Sequence, residues 1–114
     1  MPTLTATLAE ARSAHGTMSV TSDTVSDELV VRGSGELDAA LRPTFDGVLD
    51  TVTRSTAPTR LDFHDVTFCG AEGVHMLRRL HLAARGRRVR FGAAAAVRRS
   101  LALCGNPLPR FAAI

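Results

Sequence analysis

Two apolar patterns alternate along most of the chain and leave few folds open to it. Short runs rich in β-branched or aromatic residues, such as Leu29-Val30-Val31 and the stretch around Phe91, are typical of β-strands. Between these runs, apolar residues recur at spacings of three and four, which is the period of an α-helix. Strands that alternate with helices need crossover connections, and these favour a largely parallel or mixed sheet.

The first part of the pattern predicts a β-hairpin. Met18 and Val20 alternate with polar residues, and Leu29-Val30-Val31 follows a polar stretch, so two neighbouring strands are expected. Gly33-Ser34-Gly35 is expected to end the second strand as a turn. It lacks the third glycine of a dinucleotide-binding motif, and no helix follows it directly.

Three later segments have the apolar spacing of α-helices. Pro43 suits the first turn of the first helix, where its missing N–H costs nothing, and this helix should end near Thr53. The second helix should open at Gly70-Ala71-Glu72-Gly73 and stop at Gly86, and the third has Gly105 as its C′ residue. The residues on the apolar faces are Leu41, Phe45, Val48, Leu49 and Val52 in the first helix, Val74, Leu77, Leu80 and Ala84 in the second, and Val97, Leu101 and Cys104 in the third.

Two further strands separate these helices. The stretch from Arg60 to Phe63 indicates a buried central strand that extends as far as Phe68, and Val89 to Phe91 indicates another strand. The tail from Leu108 to Ile114 is open to a last short strand. The predicted fold class is therefore α/β, with one mixed β-sheet of four to five strands and three helices in the order β-β-α-β-α-β-α.

A chain of 114 residues has room for one domain, which we expect to span residues 17–114. Residues 1–16 form an N-terminal lead-in rich in Thr and Ala. Leu4, Leu8 and Ala11 lie at helical spacing without a clear cap, so a frayed helix and a disordered segment both stay open. Neither a signal peptide nor an apolar run long enough for a membrane span is present, so we expect a cytoplasmic protein without membrane insertion.

The charge pattern gives little support to nucleic-acid binding. All 14 basic residues are arginine and 11 residues are acidic, which leaves a net charge of +3. The most basic region runs from Arg78 to Arg90, but no aromatic residues interleave with these arginines to stack bases, and no known binding motif is present. Solvated faces or an acidic protein partner explain the arginines better, so no nucleic-acid partner is expected.

The histidines and cysteines do not have the spacing of a metal or catalytic site. His75 and His81 are six residues apart, whereas a zinc-binding pair on a helix is normally four apart. His64 and Cys69 lack a third group that would orient a Cys-His nucleophile. Cys69 and Cys104 do not form a C-x-x-C motif, and both are expected to be small buried groups. We therefore expect no catalytic residue, no metal site, no cofactor and no enzymatic activity.

Three stretches together resemble a STAS domain of the anti-sigma factor antagonist family. They are LVVRGSGELDAALRP (Leu29 to Pro43), RLDFHDVTFCGAEGVHMLRRLHLAARGRRVRFG (Arg60 to Gly92) and AVRRSLALCG (Ala96 to Gly105), in the order and spacing of the family. The resemblance implies a STAS-like fold and a bacterial, non-enzymatic protein that regulates transcription by binding an anti-sigma factor, a kinase-like protein, or another protein. The alternative that it leaves open is a structural STAS subunit of a larger scaffold or of a membrane transport complex.

In that family the turn after the third strand commonly reads Asp-Ser-Ser/Ala-Gly, and the partner kinase phosphorylates the first Ser. The corresponding residues here are Gly70-Ala71-Glu72-Gly73. Ala71 has no hydroxyl, so the resemblance implies a phosphorylation position that cannot accept phosphate. Gly70 removes the side-chain cap that Asp would supply. Glu72 is either an ordinary first-turn acid, which the helix dipole favours, or a fixed charge that imitates phosphate one residue out of register.

The resemblance places the partner-binding surface on this turn, on the adjoining helix flank and on the segment that follows the second strand. The sequence ends soon after Phe111, where relatives usually continue into another helix, so a further expectation is association at the less covered edge, either with a second copy, as a homo-oligomer, or with a partner. The expected partner-binding residues are Glu36, Asp38, Cys69, Gly70, Ala71, Glu72, Gly73 and His75.

Overall fold

The computed structural model describes residues 5–105 and 112–113. Within these residues the chain forms a six-stranded sheet, in the spatial order β1-β2-β3-β4-β5-β6, and three α-helices. The strands are β1 (Thr5–Arg12), β2 (Gly16–Asp23), β3 (Glu28–Leu37), β4 (Thr59–Cys69), β5 (Val89–Ala93) and β6 (Ala112–Ala113). The helices are α1 (Arg42–Arg54), α2 (Ala71–Ala84) and α3 (Ala95–Leu103), and a short 3₁₀ turn, Ala39–Leu41, precedes α1.

The sheet is mixed. Strands β1, β2 and β3 are antiparallel neighbours, whereas β3, β4, β5 and β6 run parallel. The turn between β2 and β3 is fixed by Asp23, whose carboxylate accepts hydrogen bonds from the backbone N–H groups of Val25 and Ser26. Helices α1, α2 and α3 are the crossovers of the parallel half, which is the arrangement that parallel strands require.

The hydrophobic core lies between one face of the sheet and the three helices. Alternate residues of the central strands point into it, including Val31 of β3 and Leu61 and Phe63 of β4, all fully buried. Phe45 of α1 and Leu77 of α2 pack in the same cluster. Apart from Cys104, the residues of the predicted apolar faces of the helices belong to this one core or pack against it, and each fully buried large side chain contributes roughly 1.5–3 kcal/mol.

The opposite face of the sheet carries polar and charged side chains. Arg32 of β3 lies beside Asp62 of β4, and Arg60 of β4 lies beside Arg90 of β5. Arg90 reaches across β4 to the carboxylate of Glu28. These side chains follow the two-residue period of a strand with one face towards the core and one face away from it.

The predicted α/β class, hairpin, mixed sheet and three helices are confirmed. The interpretation of the lead-in as a frayed helix or a disordered segment was wrong for Thr5–Arg12, which forms the edge strand β1. The register shifts between Thr7 and Ala9, and this bulge breaks the two-residue alternation on which a strand prediction relies. The rest of the lead-in up to residue 4 lies outside the described residues. In the C-terminal tail, the described strand β6 pairs with β5.

Two local predictions also need correction. Gly33-Ser34-Gly35 was expected to form a turn, but it lies inside β3. Its two glycines stand where a neighbouring group leaves no room for a side chain. A side chain on Gly33 would overlap the ring of Phe63, and Gly35 has a φ of +73° and packs against the carbonyl of His15. Cys104 was expected to be buried, but α3 ends at Leu103 and Cys104 is exposed beyond it.

Candidate functional site

The turn between β4 and α2 lies beside the end of β3. In the parallel ladder Glu36 is the partner of Phe68, and Leu37 is the partner of Cys69. The N–H of Gly70 donates a hydrogen bond of 3.1 Å to the carbonyl of Leu37. The structure thus brings the segment 36–38 and the segment 70–75 together at the carboxyl ends of two parallel strands, a common position for binding sites in sheets of this kind.

Two glycines shape the start of α2. Gly70 is the N-cap, and no side chain caps this helix, since glycine has none to offer. Gly73 is buried in the first turn, where a Cβ would lie 2.6 Å from the carbonyl oxygen of Leu37 and 2.8 Å from the sulfur of Cys69. The helix can therefore begin this close to the end of β3 only because residue 73 has no side chain.

Ala71 and Glu72 follow the N-cap. Ala71 is exposed, so the position that corresponds to the phosphorylated serine of the family presents a methyl group to solvent. The carboxylate of Glu72 accepts a hydrogen bond of 3.2 Å from Nη2 of Arg42, the first residue of α1. Part of the charge of Glu72 is therefore balanced by Arg42, which favours its role as an ordinary acid at a helix start over that of a phosphate mimic.

Cys69 lies under this surface. Its side chain is buried, and burial, with a smaller effect of Cys104, raises the pKa of its thiol to about 11. Its backbone carbonyl accepts a hydrogen bond of 2.5 Å from Oγ of Ser100 in α3. A thiol with such a pKa is protonated at neutral pH and is a poor nucleophile. Cys69 therefore has a structural role, and its backbone carbonyl joins the turn to α3.

The eight residues expected to bind a partner fall into two groups. Cys69 and Gly73 are buried, so the structure places both residues beneath the surface, where neither can contact a partner. Asp38 is half-buried, and its carboxylate accepts a hydrogen bond of 3.0 Å from the N–H of Ala40, which caps the 3₁₀ turn. The residues that reach solvent at least in part are Glu36, Asp38, Gly70, Ala71, Glu72 and His75.

Phe68 is a surface residue that sequence analysis missed. It was expected to close a buried strand, but 49% of it is exposed. The buried residues in this part of β4 are Phe63, Val66 and Cys69, at spacings of three, and this departure from alternation leaves Phe68 outside the core. The ring lies against Gly70, so an exposed aromatic side chain adjoins the turn.

The described residues do not form a site for metal or acid–base chemistry at this turn. In residues 5–105 and 112–113, no group of three or more His, Cys, Asp or Glu side chains could hold a metal ion. His64 lies on the open face of the sheet, with Nδ1 2.8 Å from Oδ1 of Asp62. Burial alone would raise the pKa of Asp62, but hydrogen bonds from the backbone and ring of His64 outweigh it and hold that pKa below its usual range. None of the described helices has the length and apolar composition of a membrane span.

Comparisons with known proteins bear on the fold. No protein-family model matches the sequence, and no curated protein matches it significantly. The chain is similar to the crystal structure of an anti-sigma factor antagonist from Mycobacterium paratuberculosis, with a TM-score of 0.60 and 23% sequence identity over 92% of this chain and 81% of that chain. At this identity the likeness establishes the fold, and the chain has the STAS-type fold that its sequence predicts.

Proposed function

We propose that the protein is a non-enzymatic interaction module that binds a kinase-like anti-sigma factor and thereby regulates transcription, without phosphorylation at residue 71. The observation that carries this proposal is the turn at residues 70–75. In a STAS-type fold, this turn presents the methyl group of Ala71 to solvent, places Gly70 against the exposed ring of Phe68, and lies beside the segment that contains Glu36 and Asp38.

The chemistry of this surface suits a protein partner. Phe68 offers a large apolar side chain, and aromatic residues are among those that contribute most to binding when a partner buries them. Glu36 is the partner of Phe68 in the parallel ladder and lies beside it, and the half-buried Asp38 follows two residues later. An apolar centre with an acidic rim favours a partner surface with a matching pocket and basic residues, because complementary charges guide association and fix orientation.

Binding through this surface would be independent of phosphoryl transfer to the turn. The side chain of Ala71 has no hydroxyl that could accept a phosphoryl group. Glu72 does not present an isolated negative charge, because Arg42 binds its carboxylate. The module would therefore stay competent to bind its partner whatever the kinase activity of that partner.

The test is a calorimetric titration of the full chain with a purified kinase-like anti-sigma factor from the same cell, comparing wild type, Phe68→Ala and Val25→Ala. Both substitutions truncate an exposed apolar side chain, but Val25 lies in the turn between β2 and β3. We expect Phe68→Ala to raise the Kd about tenfold and Val25→Ala to leave it unchanged.

Two results would contradict the proposal. One is that no anti-sigma factor of this class binds the wild-type chain, and the other is that Phe68→Ala binds as tightly as Val25→Ala. Purification of the chain as a stoichiometric part of a scaffold or of a membrane transport complex, in amounts that Phe68→Ala does not change, would instead support the structural alternative.

A further inference from the structure

A groove between α1 and α2 lies at the end of α2 that is remote from the turn. Leu49 and Thr53 of α1 line it on one side, and it has a volume of about 370 Å³. A second hollow of about 380 Å³ shares Thr53, Ala83 and Arg85 with it and continues towards Gly86. We call the two together the α1–α2 groove. The residues from α2 and its C-cap that line its first part are Arg79, Leu82, Ala83 and Arg85.

The α1–α2 groove is separate from the surface formed by the turn at residues 70–75 and the segment 36–38. Arg79, the α2 residue of the groove nearest the turn, follows Ala71 by eight positions, and Arg85 follows it by fourteen, which corresponds to about 12 and about 21 Å along a helix axis. None of the residues at 36–38 or 68–75 lines either part of the groove. A ligand in this groove would therefore leave the turn accessible.

The floor of the groove is apolar. Leu82 is 58% exposed, and Leu49 and Ala83 are half-buried hydrophobic residues that pack against the edge of the core. Leu82 is one of the few large hydrophobic residues of the described chain that is so exposed. Exposed apolar surface of this kind, bordered by polar residues, is typical of a site that another protein covers.

The rim of the groove is positively charged. Arg79 and Arg85 line its first part, and no acidic residue lines either part. In the described residues, Arg85 forms no ion pair, and it is exposed. Arg79 lies over the ring of Phe45, 5.7 Å from its centre, and its nearest carboxylate is that of Asp46 at 4.0 Å. A ligand that complements two cations beside an apolar floor carries carboxylates beside apolar side chains.

We propose that the α1–α2 groove binds an acidic amphipathic segment of a second protein, with leucine-type side chains against Leu82 and Leu49 and carboxylates on Arg79 and Arg85. This goes beyond the proposed function, because it gives the module a second docking surface. A second copy of this chain is a poor occupant, because a symmetric contact through this groove would bring the same arginines together. Nucleic acid fits the apolar floor poorly, since no aromatic residue lines the groove.

The test uses a fluorescent synthetic peptide that forms an amphipathic helix, with leucines on one face and glutamates flanking them. The matched control peptide has lysines in place of the glutamates. Fluorescence anisotropy is measured with the wild-type chain and with Leu82→Ser, Arg85→Glu and Arg98→Glu. The last variant reverses an exposed arginine on α3 and serves as the control for net charge.

We expect the glutamate peptide to bind the wild-type chain and the lysine peptide to bind at least about tenfold more weakly. Leu82→Ser and Arg85→Glu should each weaken binding about tenfold, whereas Arg98→Glu should change it by less than about twofold. Circular dichroism should give the same helix content for all variants, because all three side chains are exposed. The proposal is overturned if both peptides bind equally, if Arg85→Glu binds like wild type, or if sedimentation finds a wild-type dimer that Arg85→Glu dissociates.

Discussion

Gly73 packs against the carbonyl of Leu37 so closely that a Cβ on residue 73 would lie 2.6 Å from that oxygen. This contact joins the first turn of α2 to the end of β3 and holds together the two segments of the candidate site. The neighbours of Gly73 are a backbone carbonyl and a buried sulfur, so neither can move aside easily.

We therefore predict that Gly73→Ala lowers the free energy of unfolding by about 1–3 kcal/mol. The matched control is Gly47→Ala in the middle of α1, where nothing lies within 4 Å of a new Cβ. That substitution should raise stability by about 0.5–1 kcal/mol, because alanine favours a helix over glycine. Urea unfolding measures both. Equal stability of Gly73→Ala and wild type would show that the contact does not constrain the turn.

Arg87 closes the end of α1. Its guanidinium donates hydrogen bonds to the carbonyl of Ser55, the C-cap residue of that helix, and to the carbonyl of Val52, which also accepts one from the N–H of Ser55. Arg87→Met should lower the free energy of unfolding by about 1–2 kcal/mol. Arg85→Met, two residues away and exposed, should change it by less than about 0.5 kcal/mol. A similar loss of stability in both variants would mean that the removal of a positive charge, and not the loss of the hydrogen bonds of Arg87, lowers the free energy of unfolding.

The pair of Glu28 and Arg90 predicts a dependence of stability on pH. Nε and Nη2 of Arg90 donate hydrogen bonds of 3.0 and 2.6 Å to the carboxylate of Glu28, which is 3% exposed, and these bonds hold the pKa of Glu28 below its usual range. Stability from a lowered carboxyl pKa is complete above the unfolded value of about 4.3 and is lost as the pH falls through the folded value.

Wild type should therefore exceed Arg90→Met in free energy of unfolding most at about pH 6–7, and the difference should shrink towards about pH 3. Arg88→Met provides the control, because Arg88 lies in the same part of the chain without an ion pair in the described structure. Urea unfolding at a series of pH values checks this. A difference in free energy of unfolding between wild type and Arg90→Met that is constant with pH would show that Arg90 does not lower the pKa of Glu28.

The buried thiol of Cys69 should react slowly. Its pKa of about 11 leaves well under about 1% of thiolate at pH 8, and burial adds a steric barrier. In a Cys104→Ser variant, a disulfide reagent such as Ellman's reagent should label native Cys69 far more slowly than the same protein unfolded in guanidinium. Equal rates in the folded and unfolded protein would mean that the turn above Cys69 opens readily.

The helices could be predicted from sequence because their apolar residues follow the helical period and their ends carry recognisable residues. Pro43 lies in the first turn of α1, and Gly86 follows Arg85, the C-cap residue of α2. Strand β1 could not be predicted in the same way, since the bulge between Thr7 and Ala9 removes the alternation. The position of Gly33 inside β3 depends on the ring of Phe63, which is thirty residues away in the chain.

The candidate site was only partly predictable. The turn at 70–75 and its missing acceptor oxygen follow from the sequence and its resemblance to a family. The ion pair between Arg42 and Glu72 joins two helices and has no local pattern, because spacing rules apply only within one helix. The exposure of Phe68 was not predicted, because it depends on an irregular strand end where the two-residue alternation fails, whereas the burial of Cys69 was expected and is confirmed.

The central claim is that the interaction surface binds its partner without control by phosphorylation of the turn. The most direct test compares the wild-type chain with the double variant Gly70→Asp/Ala71→Ser, which restores the Asp-Ser of the family. A Cβ on residue 70 would make only ordinary contacts with the ring of Phe68, at 3.4 and 3.6 Å, so the double variant should fold. Each chain is incubated with the kinase-like anti-sigma factor and Mg-ATP and then repurified. Its mass and its Kd for the same partner are then measured.

We predict that the wild-type chain gains no phosphate on the turn and keeps its Kd, whereas the double variant gains one phosphate and binds more weakly. Phosphate on the wild-type turn, or a loss of wild-type affinity after the incubation with ATP, would contradict the central claim.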